Sequence, residues 1–195
     1  MTETAMSTLT WLGVPGDESA WSALGFVVDD DTIRIGRVGC ALTVERGWGF
    51  DEIRAQPDAL GVPTAVRPPV TGAVHPCGVT HVDHIVYTVR ELEAAITALT
   101  AVLGAPPRRR FHPRGAQGPE MAFYRVGEGF IEVVAAAGEP ALIGLALWSP
   151  DLDATVTAIR AAGGPIGDPK PAVQGGRIAS VWQGHLDWGL AIMGP

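Results

Sequence analysis

The sequence predicts an α+β fold in which two tandem β-α-β-β-β modules form a cupped mixed sheet, preceded by a degenerate N-terminal module. Three observations predict it: elements recur at a fixed spacing of 60 residues, glycines follow the repeated helices, and the pattern after each helix is all-β. A chain of 195 residues can bury a core of this size. A fixed spacing that spans a strand, a helix and a closing strand indicates a duplicated unit.

The first module begins with the β-rich run Val82–Val89, in which apolar residues alternate. An amphipathic helix is predicted for Glu91–Leu103, with Gly104 after its last turn, where a residue that tolerates positive φ is favoured. Turns that contain glycine and proline separate three further predicted strands, Arg108–His112, Met121–Val126 and Phe130–Ala135.

The second module repeats this order with a strand at Leu142–Trp148 and a helix at Asp151–Ala162. Its later strands are predicted at Pro171–Val173, which is weak, Arg177–Trp182 and Leu190–Met193. Three pairs of residues lie 60 positions apart, namely Glu91 and Asp151, Gly104 and Gly164, and Gly129 and Gly189. The same spacing relates His84 to Gly144 and Glu132 to Ile192, or to Ala191 after a shift of one residue.

The predicted domains follow from this repeat. Residues 1–56 form a degenerate N-terminal β-α-β module, whose small core is expected to contain Trp11, Trp21 and Trp48. Residues 57–79 form a Pro-rich linker, expected to be extended. Residues 80–195 form the domain of two modules, 80–138 and 141–195.

Composition and charge exclude several function classes. The net charge of −7 argues against nucleic acid as a partner. No apolar run reaches the roughly 20 residues that a membrane span needs, and the N-terminus lacks the pattern of a secretion signal. The two cysteines, Cys40 and Cys77, match no metal-binding spacing and suit a reducing compartment. We therefore expect a cytoplasmic protein.

Three motifs carry a family resemblance: Asp83-His84 in the first strand, Leu103-Gly104 after the helix, and Phe130-Ile131-Glu132 in the last strand. Together with the internal repeat, they resemble the vicinal-oxygen-chelate superfamily (glyoxalase, bleomycin resistance protein, extradiol dioxygenase) over about residues 80–195. The glyoxalase-like branch is the nearest likeness. The resemblance implies a cup between two modules and a divalent metal, such as Zn, Fe, Mn or Ni, held by the first and last strand of each.

The matching positions in the first module make His84 and Glu132 candidate metal ligands, and Glu132 also a candidate catalytic base. Strand alternation agrees with both roles, because it places Ile85, Tyr87 and Val89 under the helix. The residues expected on the cup face are Val82, His84, Val86, Thr88, Phe130, Glu132 and Val134.

The second module departs from the family pattern, since neither Gly144 nor Ile192 can bind a metal, and Ala191 cannot either. Half of the ligand set is missing, so no cofactor is certain. His81, His112 or His185 could complete an open site, or could serve only as ordinary hydrogen-bonding residues.

Aromatic side chains are the expected lining of the cup. Trp148 and Trp182, with Tyr124 or Phe123, are predicted to bind a ligand there, although the same rings could fill the core or seal a dimer contact. The stretch Phe111–Gly118 is predicted to be a hairpin loop. Its His112 and Arg114 either contact an anionic group or lie exposed. The basic run Arg108–Arg110 is either a solvated strand end or an anion clamp.

Three functions remain open from the sequence. The first is a metal-dependent isomerase, lyase or dioxygenase that acts on a substrate with vicinal oxygens through His84 and Glu132. The second is a metal-free protein that binds a small aromatic or oxygen-rich molecule in the cup, and the incomplete ligand set favours it slightly. The third is a structural or regulatory subunit whose cup is closed by a partner. A homodimer is a candidate assembly.

Overall fold

The structure is a computed structural model that describes residues 6–113, 115, 117–173 and 175–195. Its N-terminal elements are β1 (Leu9–Val14), α1 (Glu18–Ser22), β2 (Thr32–Ile35), β3 (Val38–Leu42), β4 (Trp48–Phe50), a 3-10 helix (Asp58–Leu60) and β5 (Thr64–Val66). The later elements are β6 (His81–Val89), α2 (Leu92–Leu103), β7 (Arg109–Phe111), β8 (Met121–Val126), β9 (Gly129–Ala135), β10 (Ala141–Trp148), α3 (Leu152–Ala161), β11 (Lys170–Pro171), β12 (Arg177–Ser180), a second 3-10 helix (Gln183–His185) and β13 (Gly189–Gly194). Among the residues described, no helix has the length and apolar character that crossing a membrane requires.

The predicted α+β fold is confirmed. Strands β6 to β13 form one sheet in the order β11-β12-β13-β10-β6-β9-β8-β7, so each module contributes four neighbouring strands. The two first strands, β6 and β10, pair antiparallel at the centre of this sheet. The element bounds agree with the sequence prediction to within two residues, and the largest differences are that β12 ends at Ser180 and that the second-module edge strand is Lys170–Pro171.

The central strand pair obeys the 60-residue spacing. His84 lies opposite Ala146, and Val86 lies opposite Gly144, so adding 60 to one pair gives the other. Ile85 faces its own counterpart, Leu145, and therefore lies at the local two-fold axis. This register confirms that His84 and Gly144 occupy equivalent positions.

The spacing falls to 59 residues after the helices. The glycine in the left-handed conformation is Gly104 after α2 but Gly163 after α3, and α3 itself ends at Ala161, two residues before the position equivalent to Leu103. In the closing strands, Phe130 pairs with His84 as Gly189 pairs with Gly144. Glu132 therefore corresponds to Ala191, and the sequence match of Glu132 to Ile192 is wrong. Ile192 is fully buried on the helix side of the sheet.

A β-bulge at Asp83 shapes the cup end of β6. Val82 pairs with Leu147 and His84 with Ala146, which leaves Asp83 as an extra residue without a partner in β10. Bulges redirect side chains in this way. Asp83 and His84 consequently both line the cup, whereas Val82 is buried on the helix side. The alternation-based placement of Val82 in the cup is wrong for this reason.

The same bulge recurs at Ile143 in β10 and at Thr10 in β1. In the N-terminal sheet, β1 lies between parallel β3 and antiparallel β4, as β6 lies between parallel β9 and antiparallel β10. From this shared plan we infer that the N-terminal segment is a degenerate copy of the repeated unit. Within the segment expected to be an extended linker, Thr64–Val66 forms strand β5 and pairs with β4.

One hydrophobic core joins the two sheets. Trp21 and Trp48 are fully buried in it, and the rings of Trp48 and Tyr87 lie 4.9 Å apart between their centroids. The hydroxyl of Tyr87 donates a hydrogen bond to the carbonyl oxygen of Leu60 at 2.5 Å, and burial raises its pKa to about 12. Trp11 instead lies on the outer face of the N-terminal sheet.

That outer face is covered by the chain itself. The hydroxyl of Thr10 donates to the carbonyl oxygen of Arg67 at 2.8 Å, and the guanidinium of Arg67 lies over the Trp11 ring at 5.7 Å. Farther along, the N–H of Ala73 donates to the carbonyl oxygen of Arg34 at 2.9 Å. The N-terminal sheet therefore has a segment of chain where the C-terminal sheet has an open cup.

Gly129 makes room for the bulge at Asp83. A Cβ atom at this position would lie 2.4 Å from the carbonyl oxygen of Val82 and 2.7 Å from that of Asp83. We expect Gly129→Ala to lower the free energy of unfolding by about 1–3 kcal/mol, measured by urea denaturation. Gly167→Ala is the control, since its Cβ would lie an ordinary 3.6 Å from the nearest atom. Equal stability of the two variants would contradict this account of the bulge.

The neutral side chain of His75 connects the segment 57–79 to the N-terminal part of the chain by two hydrogen bonds. Its Nδ1 accepts a hydrogen bond from the N–H of Val27 at 3.1 Å, and its Nε2 donates to the carbonyl oxygen of Arg34 at 3.1 Å. The side chain is buried, and desolvation lowers its pKa despite the opposing effect of the Arg34 carbonyl.

A lowered pKa in the folded state means that only the unfolded chain binds this proton as pH falls below about 6.5. His75 should therefore contribute stability above that pH and lose it progressively below. We expect His75→Gln, whose amide can keep both hydrogen bonds, to show a smaller loss of unfolding free energy between neutral pH and about pH 5. Urea denaturation at several pH values measures this, and identical pH dependence in both proteins would refute it.

Candidate functional site

The cup of the C-terminal sheet contains a cavity of about 620 Å³. Both modules line it, the first with Asp83, His84, Arg109, Pro113, Met121, Phe123, Phe130 and Glu132, and the second with Trp148, Lys170, Pro171, Ala172, Val173, Gly175, Ile178, Ser180 and Met193. The two modules are neighbours within one chain, so the described residues already form this cavity without a second subunit.

A polar centre lies on the first-module side of the cavity. The Nδ1 atom of His84 is 2.6 Å from the Oδ2 atom of Asp83, and its Nε2 atom is 3.8 Å from the Oε2 atom of Glu132. A carboxylate can only accept, so Nδ1 carries the hydrogen of the first contact. The second distance is too long for a hydrogen bond but suits an ion pair when the ring is protonated. The structure thus brings His84 and Glu132 close together, and their role as metal ligands stays a prediction.

Apolar and aromatic side chains surround this centre. Phe123 stacks on Phe111 with ring centroids 5.2 Å apart, and the guanidinium of Arg109 lies over both rings. Trp148, which also lines the cavity, stacks on His81 of the neighbouring strand with ring centroids 6.2 Å apart. These contacts hold the rings in place, and they leave a largely apolar wall around one imidazole and two carboxylates.

The metal site implied by the resemblance does not fit the second module. The positions equivalent to His84 and Glu132 are Gly144 and Ala191, which carry no donor atom. Within the described part of the chain, no group of three or more His, Cys, Asp and Glu residues is arranged to hold a metal ion. Among the described side chains that line the cup, the imidazole and carboxylate groups all belong to the first module.

Of the aromatic residues predicted to line the cup, Trp148 does so and two others do not. Tyr124 points to the helix side, where it is buried and its hydroxyl donates to the carbonyl oxygen of Ile96 at 2.9 Å. Its neighbour Phe123 lines the cavity instead. Trp182 follows the end of β12 and is 68% exposed, outside the cavity.

The remaining candidates lie apart from the polar centre. His112 is exposed, and its Nδ1 lies 2.9 Å from the carbonyl oxygen of Gly118. Arg114 lies outside the described residues. His185 reaches the N-terminal helix, where its Nε2 is 2.8 Å from the carbonyl oxygen of Ala20, and His81 packs on Trp148.

The basic run divides between the cup and the surface. Arg109 lines the cavity, whereas Arg110 forms ion pairs with Glu93 and Glu120 at the surface. The hydrogen bonds to these carboxylates raise the pKa of Arg110, and the bond to Arg110 lowers the pKa of Glu120. Arg110 therefore agrees with a solvated strand end, whereas an anion clamp at Arg109 stays a prediction.

Sequence reasoning missed Asp83 as a cup residue. A signal for it exists, because the apolar positions Val82 and Ile85 are three residues apart and then continue at steps of two to Tyr87 and Val89. That extra residue is the mark of a bulge within an alternating strand. Lys170 was also missed, and no pattern in the sequence points to it.

A family model described as the glyoxalase/bleomycin resistance protein/dioxygenase superfamily matches residues 83–180, which is half of the chain. The chain belongs to this superfamily. No match was found among curated proteins. The matched segment of this glyoxalase-superfamily chain includes the whole first-module half of the cup.

Solved structures show the same fold. A methylmalonyl-CoA epimerase from Mycobacterium tuberculosis matches with a TM-score of 0.52 and 21% identity, over 60% of this chain and 89% of that chain. A Streptomyces coelicolor methylmalonyl-CoA epimerase variant in complex with 2-nitronate-propionyl-CoA matches with a TM-score of 0.50 and 17% identity, over 60% and 94%. A hypothetical protein from Bacillus halodurans matches with 0.50 and 15%, over 58% and 93%. At these identities the likeness concerns the fold alone.

The register of the closing strand makes a prediction about metal binding. We expect Gly144→His with Ala191→Glu to complete the donor set and to retain about one equivalent of zinc after dialysis, measured by elemental analysis. The Cβ atom at position 144 would lie 3.1 Å from the carbonyl oxygen of Gly189, so a small shift suffices. The control is Gly144→His with Ile192→Glu, which buries a carboxylate on the helix side and should lose stability without gaining metal. Metal retention by the control instead would show that the register is wrong.

Proposed function

We propose that this superfamily member binds a small aromatic or oxygen-rich molecule in the cup between its two C-terminal modules, without a resident metal ion. The observation that carries the proposal is the asymmetry of the cup. One wall offers His84, Asp83 and Glu132, while the equivalent positions of the other module are Gly144 and Ala191. A metal site would need donor atoms at these two positions, and the side chains there supply none.

The size and lining of the cavity support a ligand of this kind. Small-molecule sites typically enclose about 300–1,000 Å³ and combine apolar walls with a few polar groups that fix orientation. The cavity of about 620 Å³ has Phe123, Phe130 and Trp148 as large apolar surfaces. His84 and Glu132 would orient the polar end of the ligand, and Arg109 and Lys170 contribute positive charge to the same cavity.

Tryptophan fluorescence distinguishes the cup from the surface. We expect a panel of aromatic compounds to include ligands that quench the emission of the wild-type protein, because Trp148 lines the cavity. Trp148→Ala should weaken binding of such a ligand by about tenfold or more, since an aromatic contact and its buried area are lost. Trp182→Ala is the matched control, because that ring is exposed and outside the cavity.

Calorimetry measures the affinities of the three proteins independently of their emission. Unchanged affinity in Trp148→Ala, or an equal loss in Trp182→Ala, would place the ligand elsewhere. Absence of any ligand in the panel would remove the support for an aromatic-binding cup.

The alternative is a metal-dependent isomerase, lyase or dioxygenase that uses His84 and Glu132. One observation favours it: the Asp83 carboxylate holds Nδ1 of His84, as outer-sphere carboxylates hold metal-binding histidines. Elemental analysis of freshly purified protein decides between the two. Near-stoichiometric zinc, iron, manganese or nickel that disappears in His84→Ala would favour the enzyme, whereas trace metal favours the binding protein.

The cellular location and the assembly state of the protein are further proposals. Cys40 and Cys77 are both buried free thiols, and burial raises the pKa of Cys40 to about 12 and that of Cys77 to about 11. Such unreactive thiols support, in our proposal, a cytoplasmic location. A homodimer remains a prediction from the sequence.

A further inference from the structure

We infer that the ligand of the cup carries a hydroxyl or N–H group on its aromatic body and donates that hydrogen to Nε2 of His84, with Asp83 as the residue that fixes the hydrogen of His84 on Nδ1. This inference rests on the proposed function and adds the chemical class of the ligand. It depends on three features of the site: the short contact of Asp83 with His84, the bulge that creates it, and the apolar surroundings.

The contact determines which ring nitrogen accepts. Asp83 approaches Nδ1 at 2.6 Å, and a carboxylate accepts but cannot donate, so Nδ1 bears the hydrogen. In the neutral ring, Nε2 is then an acceptor with a free lone pair. Nε2 lies 3.8 Å from Oε2 of Glu132, another acceptor, so this wall of the cup is complementary to a donor.

The fold does not require the aspartate. The same bulge forms with Thr10 in β1 and with Ile143 in β10, so neither charge nor hydrogen bonding at this position is needed to make it. The residues that follow are Trp11 and Gly144, and only at β6 does a histidine follow the bulge. The strand arrangement therefore does not require the Asp83–His84 pair, and we relate this pair to the function of the cup.

Because its surroundings are apolar, this acceptor favours ligands that carry a hydrogen-bond donor over ligands that lack one. A ligand that fills the cup displaces water from Nε2, because His84 lines the cavity together with the apolar side chains of Phe130 and Trp148. If the ligand lacks a donor, the ring nitrogen stays unpaired, and an unsatisfied buried polar group costs about 1–3 kcal/mol. Sites built to hydrogen-bond a ligand hydroxyl discriminate strongly against analogues without one.

Naphthol and its methyl ether test the inference, because they differ mainly in the donor hydrogen. We expect the wild-type protein to bind naphthol about tenfold or more tightly than the ether. Binding is followed by calorimetry at slightly alkaline pH in the presence of EDTA, so that no metal ion contributes. His84→Leu should bring the ratio of the two affinities close to one, and His112→Leu, at an exposed histidine outside the cavity, should leave it unchanged.

Asp83 is a positioning residue in this scheme and has its own readout. Asp83→Ile reproduces the residue found at the equivalent bulge in β10 and should therefore fold. We expect it to reduce the naphthol preference and to shift the ¹⁵N resonances of the His84 ring away from the tautomer protonated at Nδ1. A variant with a merely structural effect would leave that tautomer signature unchanged, and such a result would refute the role of Asp83.

The outcomes of these measurements separate this inference from the proposed function. Equal affinities of the wild-type protein for naphthol and its ether, both weakened by Trp148→Ala, would overturn the donor requirement and leave the aromatic cup in place. A preference for naphthol that persists in His84→Leu would also overturn it. If neither probe binds while other aromatic compounds still depend on Trp148, the inference fails alone, and if none depends on Trp148, both fail.

Discussion

The antiparallel pairing of β6 with β10 is the constraint on which the cup depends. These strands lie at the centre of the eight-stranded sheet, and each also pairs with the closing strand of its own module, β9 or β13. Their register therefore determines which side chains of four strands share a face. Because side chains alternate along a strand, a shift of one residue would exchange the cup face for the helix face throughout a module. The fully buried Ile85, Leu147, Ile131 and Ile192 oppose any such shift.

Within this register, the β-bulge in β6 allows a charged side chain to lie in the cup and not in the core. A regular strand would have turned Asp83 towards the hydrophobic core, where an ionised carboxylate is very costly. The extra residue brings it instead to the partly exposed cup beside His84, with side-chain exposures of 28% and 21%. Each charged group then has a partner or access to water. Close approach of the backbones at Gly129 is the structural requirement for this arrangement.

Much of the fold could be predicted because it follows from periodic patterns. Glycines after helices, acidic helix starts and alternating strands gave the order of elements and the relation of His84 to Gly144. The match of Glu132 to Ile192 failed because the spacing of the repeat falls from 60 to 59 residues after α3, which is shorter than α2. Gly164, next to the true helix-ending residue Gly163, made a constant spacing of 60 residues look continuous. The predictions that Tyr124 and Trp182 line the cup failed because neither position follows from a periodic pattern alone. Both are aromatic, but the facing of Tyr124 depends on the pairing of β8 with β9, and the exposure of Trp182 depends on where β12 ends.

Because the two modules belong to one polypeptide, selection acts on them separately. A cup assembled from two identical short chains would carry an imidazole and a carboxylate on both walls, and any substitution would appear twice. Here the imidazole and the two carboxylates lie on the first-module wall, whereas the second-module wall carries Lys170 and Ser180, so the two sides of the cavity differ chemically. A molecule with two unlike ends would consequently bind in one preferred orientation. A cup with two identical walls could not favour one orientation over the other.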